Sequence, residues 1–168
     1  HPGQLRRAVD ALLRAQRPVI YAGGGVIQGD GVELLTRIAR SLNYPVTNTL
    51  MGLGAFPGSD RQFLGMLGLH GTFEANNAMH AADLIFAIGA RFDDRVTNNP
   101  KKFCPQATII QVDIDPTEIG KVYQPEVGVL GDARSVLQDI LREIRERKID
   151  RRPAQEHPRI KELGRMKG

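Results

Sequence analysis

The sequence predicts an α/β fold, a doubly wound and mainly parallel sheet with helices on both faces. Three observations carry that prediction. Short apolar runs of strand length alternate with amphipathic helical stretches, as consecutive βαβ units require. The run Leu84–Ile88 is apolar throughout rather than alternating, the pattern of a strand covered on both faces. A glycine cluster, Gly23–Gly25, directly follows the first strand and precedes a helix.

The elements are read in order as follows. Gln4–Ala15 places Leu5, Ala8, Val9, Leu12 and Leu13 on one helical face. Pro18 stops that helix, and Val19–Ala22 is a short strand. Gly29–Gly31 opens a second helix over Val32–Leu42, with Leu34, Leu35, Ile38 and Leu42 on one face. Pro45 precedes a strand at Val46–Thr49. Leu50–Gly71 is glycine-rich and reads as one long loop, a kind that is usually functional. Thr72 can cap a helix running to Ala82. The central strand Leu84–Ile88 follows, then an irregular turn over Pro100–Pro105. Ala107–Val112 and Glu126–Leu130 are the remaining strands, five in all. Asp132 suits the N-cap of a last helix reaching about Lys148, with Val136, Leu137, Ile140, Leu141 and Ile144 as its buried stripe.

The chain has 168 residues, 41% hydrophobic and 25% charged, which suits one domain with its own core. Residues 1–148 form that domain; residues 149–168 read as a basic, poorly ordered linker or tail. The net charge of +4 comes from the C-terminal end. Ten basic and five acidic side chains lie in residues 142–168, against 13 and 14 in the rest. A solvated charge run with two prolines and no basic-aromatic platform argues against nucleic acid. No apolar run reaches the roughly 18 residues of a membrane span, and no signal-peptide apolar region opens the chain. The single cysteine, Cys104, excludes an internal disulfide and fits a reduced, cytoplasmic setting.

The segment after Ile88 carries the most chemistry. Gly89 ends the strand, and Arg91, Asp93, Asp94 and Arg95 follow within a few residues. In open α/β sheets ligands bind just outside the carboxyl ends of the strands, so this is a charged loop delivered to a binding crevice. The alternative is a surface loop whose charges pair among themselves. Gly23–Gly25 would let backbone N–H groups approach a phosphate at a helix start, or would simply make a tight turn. The glycines at 23, 24, 25 and 29 do not fit the G-x-G-x-x-G fingerprint, and the second strand ends without an acid, so a standard NAD dehydrogenase is disfavoured. Asp113 ends a strand, where it can accept from ribose hydroxyls or cap the turn before Pro116. Gly29–Asp30–Gly31 starts like a thiamin-diphosphate motif. That motif needs an Asn-Asn pair about 25–30 residues on, and Asn76–Asn77 and Asn98–Asn99 lie too far away. His70 and His80 have no third partner at metal-ligand spacing; His70, near Gly68 and Gly71, suits a ligand, and His80 a structural role.

Five motifs in one order carry a resemblance: Arg17–Gly25, Thr49–Gly54, Leu64–Gly71, Gly89–Val96 and Val112–Pro116. Together they resemble the central domain of the acetohydroxyacid (acetolactate) synthase large catalytic subunit, over about residues 1–148. The resemblance implies a six-stranded, Rossmann-like central domain of a thiamin-diphosphate enzyme that binds FAD and is itself non-catalytic. It implies FAD contacts at Gly23, Gly24 and Gly25; at Thr49, Leu50 and Met51; and at Leu67, Gly68, His70 and Gly71. Further contacts follow at Gly89, Arg91, Asp93, Arg95 and Val96, then at Asp113, Ile114, Gly131, Asp132 and Ala133 toward the adenosine end. Asp94 and Arg95 match positions lining a substrate channel. Leu69 departs from the Met common in relatives. Thiamin diphosphate and magnesium would sit in flanking domains of the same chain, and the parent would be a homo-oligomer with a regulatory small subunit. A related thiamin enzyme, such as a pyruvate oxidase or glyoxylate carboligase, is the alternative. A sirtuin-type NAD-binding domain is disfavoured because its zinc cysteines are lacking. Neither Arg91 nor Asp113 is expected in the core.

Overall fold

The structure, a computed structural model, describes residues 2–66, 71–92 and 106–147. The elements run α1 (Pro2–Arg14), β1 (Pro18–Ala22), α2 (Gly24–Gln28), α3 (Val32–Leu42), β2 (Val46–Asn48), β3 (Phe63–Met66), α4 (Phe73–Ala81), β4 (Leu84–Ile88), β5 (Thr108–Asp113), β6 (Val127–Leu130) and α5 (Ala133–Glu146). A 3-10 turn over Leu50–Gly52 follows β2.

The six strands form one sheet in the order β3-β2-β1-β4-β5-β6. Every adjacent pair is parallel. The order reverses between β1 and β4, which makes that boundary the topological switch point. β1 and β4 are buried along their whole length, as their uninterrupted apolar sequences require. Successive residues point to opposite faces, so each central strand feeds two cores. One core joins Ile20, Phe86, Ile88, Ile110 and Val112 to the apolar stripes of α1, α3 and α5. The other joins Val19, Tyr21, Ile85, Ala87 and Ile109 to Ala75, Ala78 and Met79 of α4.

Side-chain caps fix the connections. Thr72 Oγ1 accepts from the Ala75 N–H at 3.1 Å and starts α4. Asp132 Oδ1 accepts from the Ser135 N–H at 2.9 Å and starts α5. The Asp83 carboxylate accepts the N–H groups of Gln16 and Arg17, both at 2.8 Å, tying the end of α1 to the base of β4. Tyr44 Oη donates to the Leu12 carbonyl, bolting α3 to α1.

Two elements correct the sequence reading. The stretch Leu50–Gly71 is not one loop: it contains β3, whose pairing with β2 shifts register between Val46 and Thr47. Gly65 inside β3 has φ +98°, which breaks the apolar pattern that would have marked the strand. The glycine cluster does not lead straight into the long helix either. Gly24–Gln28 forms one short helix first, and Gly29–Gly31 turns from it into α3. The turn expected over Pro100–Pro105 lies outside the described residues.

Candidate functional site

A cleft of about 340 Å³ opens at the carboxyl ends of β4, β5 and β6. Its floor comes from Ile88, Gly89 and Val112. Gly25 and Gln28 of α2 with the following Gly29, then Arg91 and Asp113–Asp115, and Gly131 and Asp132 leading into Ala133 of α5, complete the lining. The volume falls at the lower end for small-molecule sites. The cleft sits where doubly wound sheets bind ligands, beside the switch point.

The wall of the cleft is backbone against backbone. Gly89 has φ +56°, and a Cβ there would lie 2.6 Å from Gly25 Cα. Only glycine fits such an approach. The N–H of Gly23 donates to the Ile88 carbonyl at 3.0 Å, and that of Gly25 to the Gly89 carbonyl at 3.1 Å. The tight-turn reading of the cluster accounts for two of its three amides. Those two amides tie the β1–α2 turn to the end of β4, so neither is open to a phosphate as they stand.

Asp113 is 8% exposed, so the expectation that it lies outside the core fails. Strand β6 covers it: the Gly131 N–H donates to the Asp113 carbonyl at 3.0 Å. Its Oδ1 accepts from the Asp115 N–H at 2.9 Å, so the turn-capping role holds for that oxygen. No hydrogen bond engages its Oδ2 among the described residues, and Asp113 is one of the residues that line the cleft. Asp115 accepts from both the hydroxyl and the N–H of Thr117, which lowers its pKa below the usual carboxylate value. Asp132 is lowered likewise by the backbone and side chain of Ser135. Arg91 is the one cation lining the cleft among the described residues, and its side chain is 74% exposed, outside the core as expected. These groups can accept hydroxyls and pair with an anion. The described lining thus combines three carboxylates, one guanidinium and glycine backbone.

Of the residues singled out in the sequence, Gly25, Gly89, Arg91, Asp113, Ile114, Gly131, Asp132 and Ala133 meet in this cleft. Gly23, Gly24, Thr49, Leu50 and Met51 lie outside it, at the ends of β1 and β2. A Cβ on Gly24 would lie 3.3 Å from Met51 Cβ, so the two segments touch. The Thr49 hydroxyl is used within that segment, accepting from the Gly52 N–H at 3.1 Å. Leu50 and Met51 are exposed, as is Ile114. Gly71 precedes the cap of α4. Leu67, Gly68 and His70, and Asp93, Asp94, Arg95 and Val96, lie outside the described residues. His80 is exposed on α4. Sequence reasoning missed Gln28, Gly29 and Asp115. Gln28 was hidden because α2 was not read as a helix, whereas Asp115, the second acid after β5, carried a usable signal. Among the described residues no group of His, Cys, Asp or Glu could hold a metal ion, and no helix is long and apolar enough to cross a membrane.

Residues 5–140 match the family model of the thiamine pyrophosphate enzyme central domain. The chain belongs to this family. As a thiamine pyrophosphate enzyme central domain it has close curated relatives. The acetolactate synthase large subunit of Buchnera aphidicola subsp. Schizaphis graminum (strain Sg) is 54% identical over 148 residues, 88% of this chain and 26% of the relative. The acetolactate synthase isozyme 3 large subunit of Escherichia coli (strain K12) is 53% identical over 141 residues, 84% of this chain and 25% of the relative. A probable acetolactate synthase large subunit of Methanocaldococcus jannaschii is 48% identical over 141 residues, 84% of this chain and 24% of the relative. The central domain thus spans about a quarter of the length of the curated relatives it matches. The observed sheet is the six-stranded one that the family resemblance implies.

Proposed function

We propose that this chain is the FAD-binding central segment of an acetolactate synthase large subunit. The observation that carries the reading is the pairing of Arg91 and Asp113 in one cleft at the carboxyl ends of β4 and β5. The residues present fit a dinucleotide. The Asp113 carboxylate, which lines the cleft, can accept a ribose hydroxyl, and Arg91 can make charge-assisted bonds to a pyrophosphate or ring carbonyl. The Gly25–Gly89 wall keeps side chains out of the floor. The exposed Leu50 and Met51 offer apolar surface beside the cleft for a flat ring. Gly131, Asp132, Ala133 and Ile114 would enclose the adenosine end.

In this reading FAD takes no net redox part, and the chain's residues bind and orient it. The whole protein would decarboxylate pyruvate on thiamin diphosphate and magnesium held by flanking domains. It would then join the two-carbon fragment to a second 2-keto acid, toward branched-chain amino acids. It would work as a cytoplasmic homo-oligomer with a regulatory small subunit. Residues 149–168 would serve as the basic linker to the next domain. Identity to acetolactate synthase large subunits supports the parent activity, and the cleft supports the cofactor. The test is equilibrium dialysis of the purified chain against FAD, read by flavin absorbance on the protein side. An excess of flavin on the protein side is expected at high protein concentration, and no excess at any FAD concentration would remove the cofactor assignment.

A further inference from the structure

Gln111 is an anomaly in β5. Its strand neighbours Ile109, Ile110 and Val112 are buried and apolar, yet Gln111 is a 3% exposed amide. A buried amide is costly unless both of its ends are bonded. Here both are, and both bonds go to one loop. Gln111 Nε2 donates to the Glu118 carbonyl at 2.9 Å, and the Gly120 N–H donates to Gln111 Oε1 at 3.0 Å.

That loop, residues 114–125, is held at three points, two of them on the sheet. Gln111 supplies the polar one. Gly128 of β6 supplies the second: a Cβ there would lie 2.8 Å from Ile119 Cγ2, so the absent side chain makes the seat for Ile119. Tyr123 supplies the third, meeting Phe92 edge-on at 5.2 Å between ring centroids. Phe92 adjoins Arg91. The loop also brings Glu118, whose side chain is only 11% exposed, to 4.0 Å from Arg91 Nε and 3.6 Å from Lys121 Nζ. Its first two residues, Ile114 and Asp115, line the cleft. Gln111 does not.

We infer that Gln111 is a positioning residue for the cleft. By hanging the 114–125 loop from the buried sheet it sets Glu118 against Arg91, and so fixes where the lining cation stands. This rests on the cofactor reading above for its consequence in binding, but not for the positioning itself. A long exposed arginine gains little from one ion pair by itself. Its orientation therefore depends on the carboxylate being held in place, and the Gln111 bonds do that. Without them the Glu118 carbonyl and the Gly120 N–H lose their partners, and the loop must move to reach water.

Two measurements on the full chain test this. The first needs no ligand: the Arg91 Nε–H resonance in side-chain nitrogen–proton spectra of the wild type, Glu118→Gln and Gln111→Leu. Glu118→Gln keeps the backbone carbonyl that Gln111 uses and removes only the carboxylate. The Arg91 signal is expected to shift in Glu118→Gln, and to shift the same way in Gln111→Leu. If Gln111→Leu unfolds the chain, Gln111→Met, which keeps the unbranched shape and removes both bonds, takes its place. The second is FAD affinity. Gln111→Leu is expected to weaken it about 5- to 10-fold, and the loss should nearly vanish in an Arg91→Ala background, because the two residues act through one contact. An Arg91 signal that moves in Glu118→Gln but not in the Gln111 variant overturns the inference, as do losses that multiply. A moving signal without FAD binding in the wild type would instead remove the cofactor reading and leave the positioning intact.

Discussion

Replacing Gly89 by alanine tests the backbone wall of the cleft. Two separate penalties apply. Gly89 has φ +56°, where a residue with a Cβ is less favourable by about 1–2 kcal/mol. The new methyl would also lie 2.6 Å from Gly25 Cα and 2.9 Å from Val26 N. Those are backbone atoms that cannot rotate away, and overpacking of this kind costs roughly 1–3 kcal/mol. The sum is about 2–5 kcal/mol, a large part of the roughly 5–15 kcal/mol that holds a typical domain folded. Two other glycines separate the terms. Gly54 has φ +96°, with its nearest neighbour 4.0 Å from a built Cβ, so Gly54→Ala should show the conformational penalty alone. Gly58 has nothing within 4 Å of a built Cβ and no positive φ, so Gly58→Ala should stay within about 0.5 kcal/mol of wild type. Urea denaturation of the three variants gives the values directly. The expected order of destabilisation is Gly89, then Gly54, then Gly58. A Gly89→Ala variant as stable as Gly58→Ala would refute the tight approach of β4 to α2.

Other expectations follow from the same geometry. Arg91→Ala should weaken FAD binding at least about tenfold, since a charged hydrogen bond contributes about 1.5–3 kcal/mol, and Arg91→Lys should recover only part of it; calorimetric titration reads both. Asp113→Asn should cost less FAD affinity than Asp113→Ala. The buried position of Asp113 means that Asp113→Ala should also lower the melting temperature without ligand. The hydrogen bonds from Ser135 hold the capping carboxylate of Asp132 below the usual carboxylate value, so its contribution is full above the unfolded pKa of about 3.9 and is lost as pH falls through the lower folded value. The stability gap between wild type and Asp132→Ala should therefore narrow in acid denaturation below that pH. The chain alone should form no acetolactate from pyruvate with thiamin diphosphate, magnesium and FAD added, and product above a no-protein blank would sink the non-catalytic reading.

The central strands were legible because burial on both faces leaves a plain sequence mark. Leu84–Ile88 reads as apolar throughout, and every residue of it is buried. Caps were legible for a local reason: Thr72 and Asp132 each need only a backbone N–H three residues on. β3 was hidden because it is a four-residue edge strand with a positive-φ glycine inside it. α2 was hidden because two glycines open it, and helix propensity argues against them. The glycine wall joins positions 25 and 89 across the switch point. Without its topology, Gly23–Gly25 could only be read locally, as a turn or a phosphate loop. The second oxygen of Asp113 and the seat of the 114–125 loop on Gln111 are likewise tertiary facts. A glutamine among Ile109, Ile110 and Val112 was the only trace of that seat in the sequence.

The most direct test of the cofactor assignment is calorimetric titration of the chain with FAD and, separately, with NAD. The cleft geometry and the family resemblance predict that FAD binds more tightly than NAD. They predict weak binding even so, because part of the flavin would be covered by domains outside this segment and ordering the ligand and loops has an entropic cost. NAD binding more tightly than FAD would contradict the assignment.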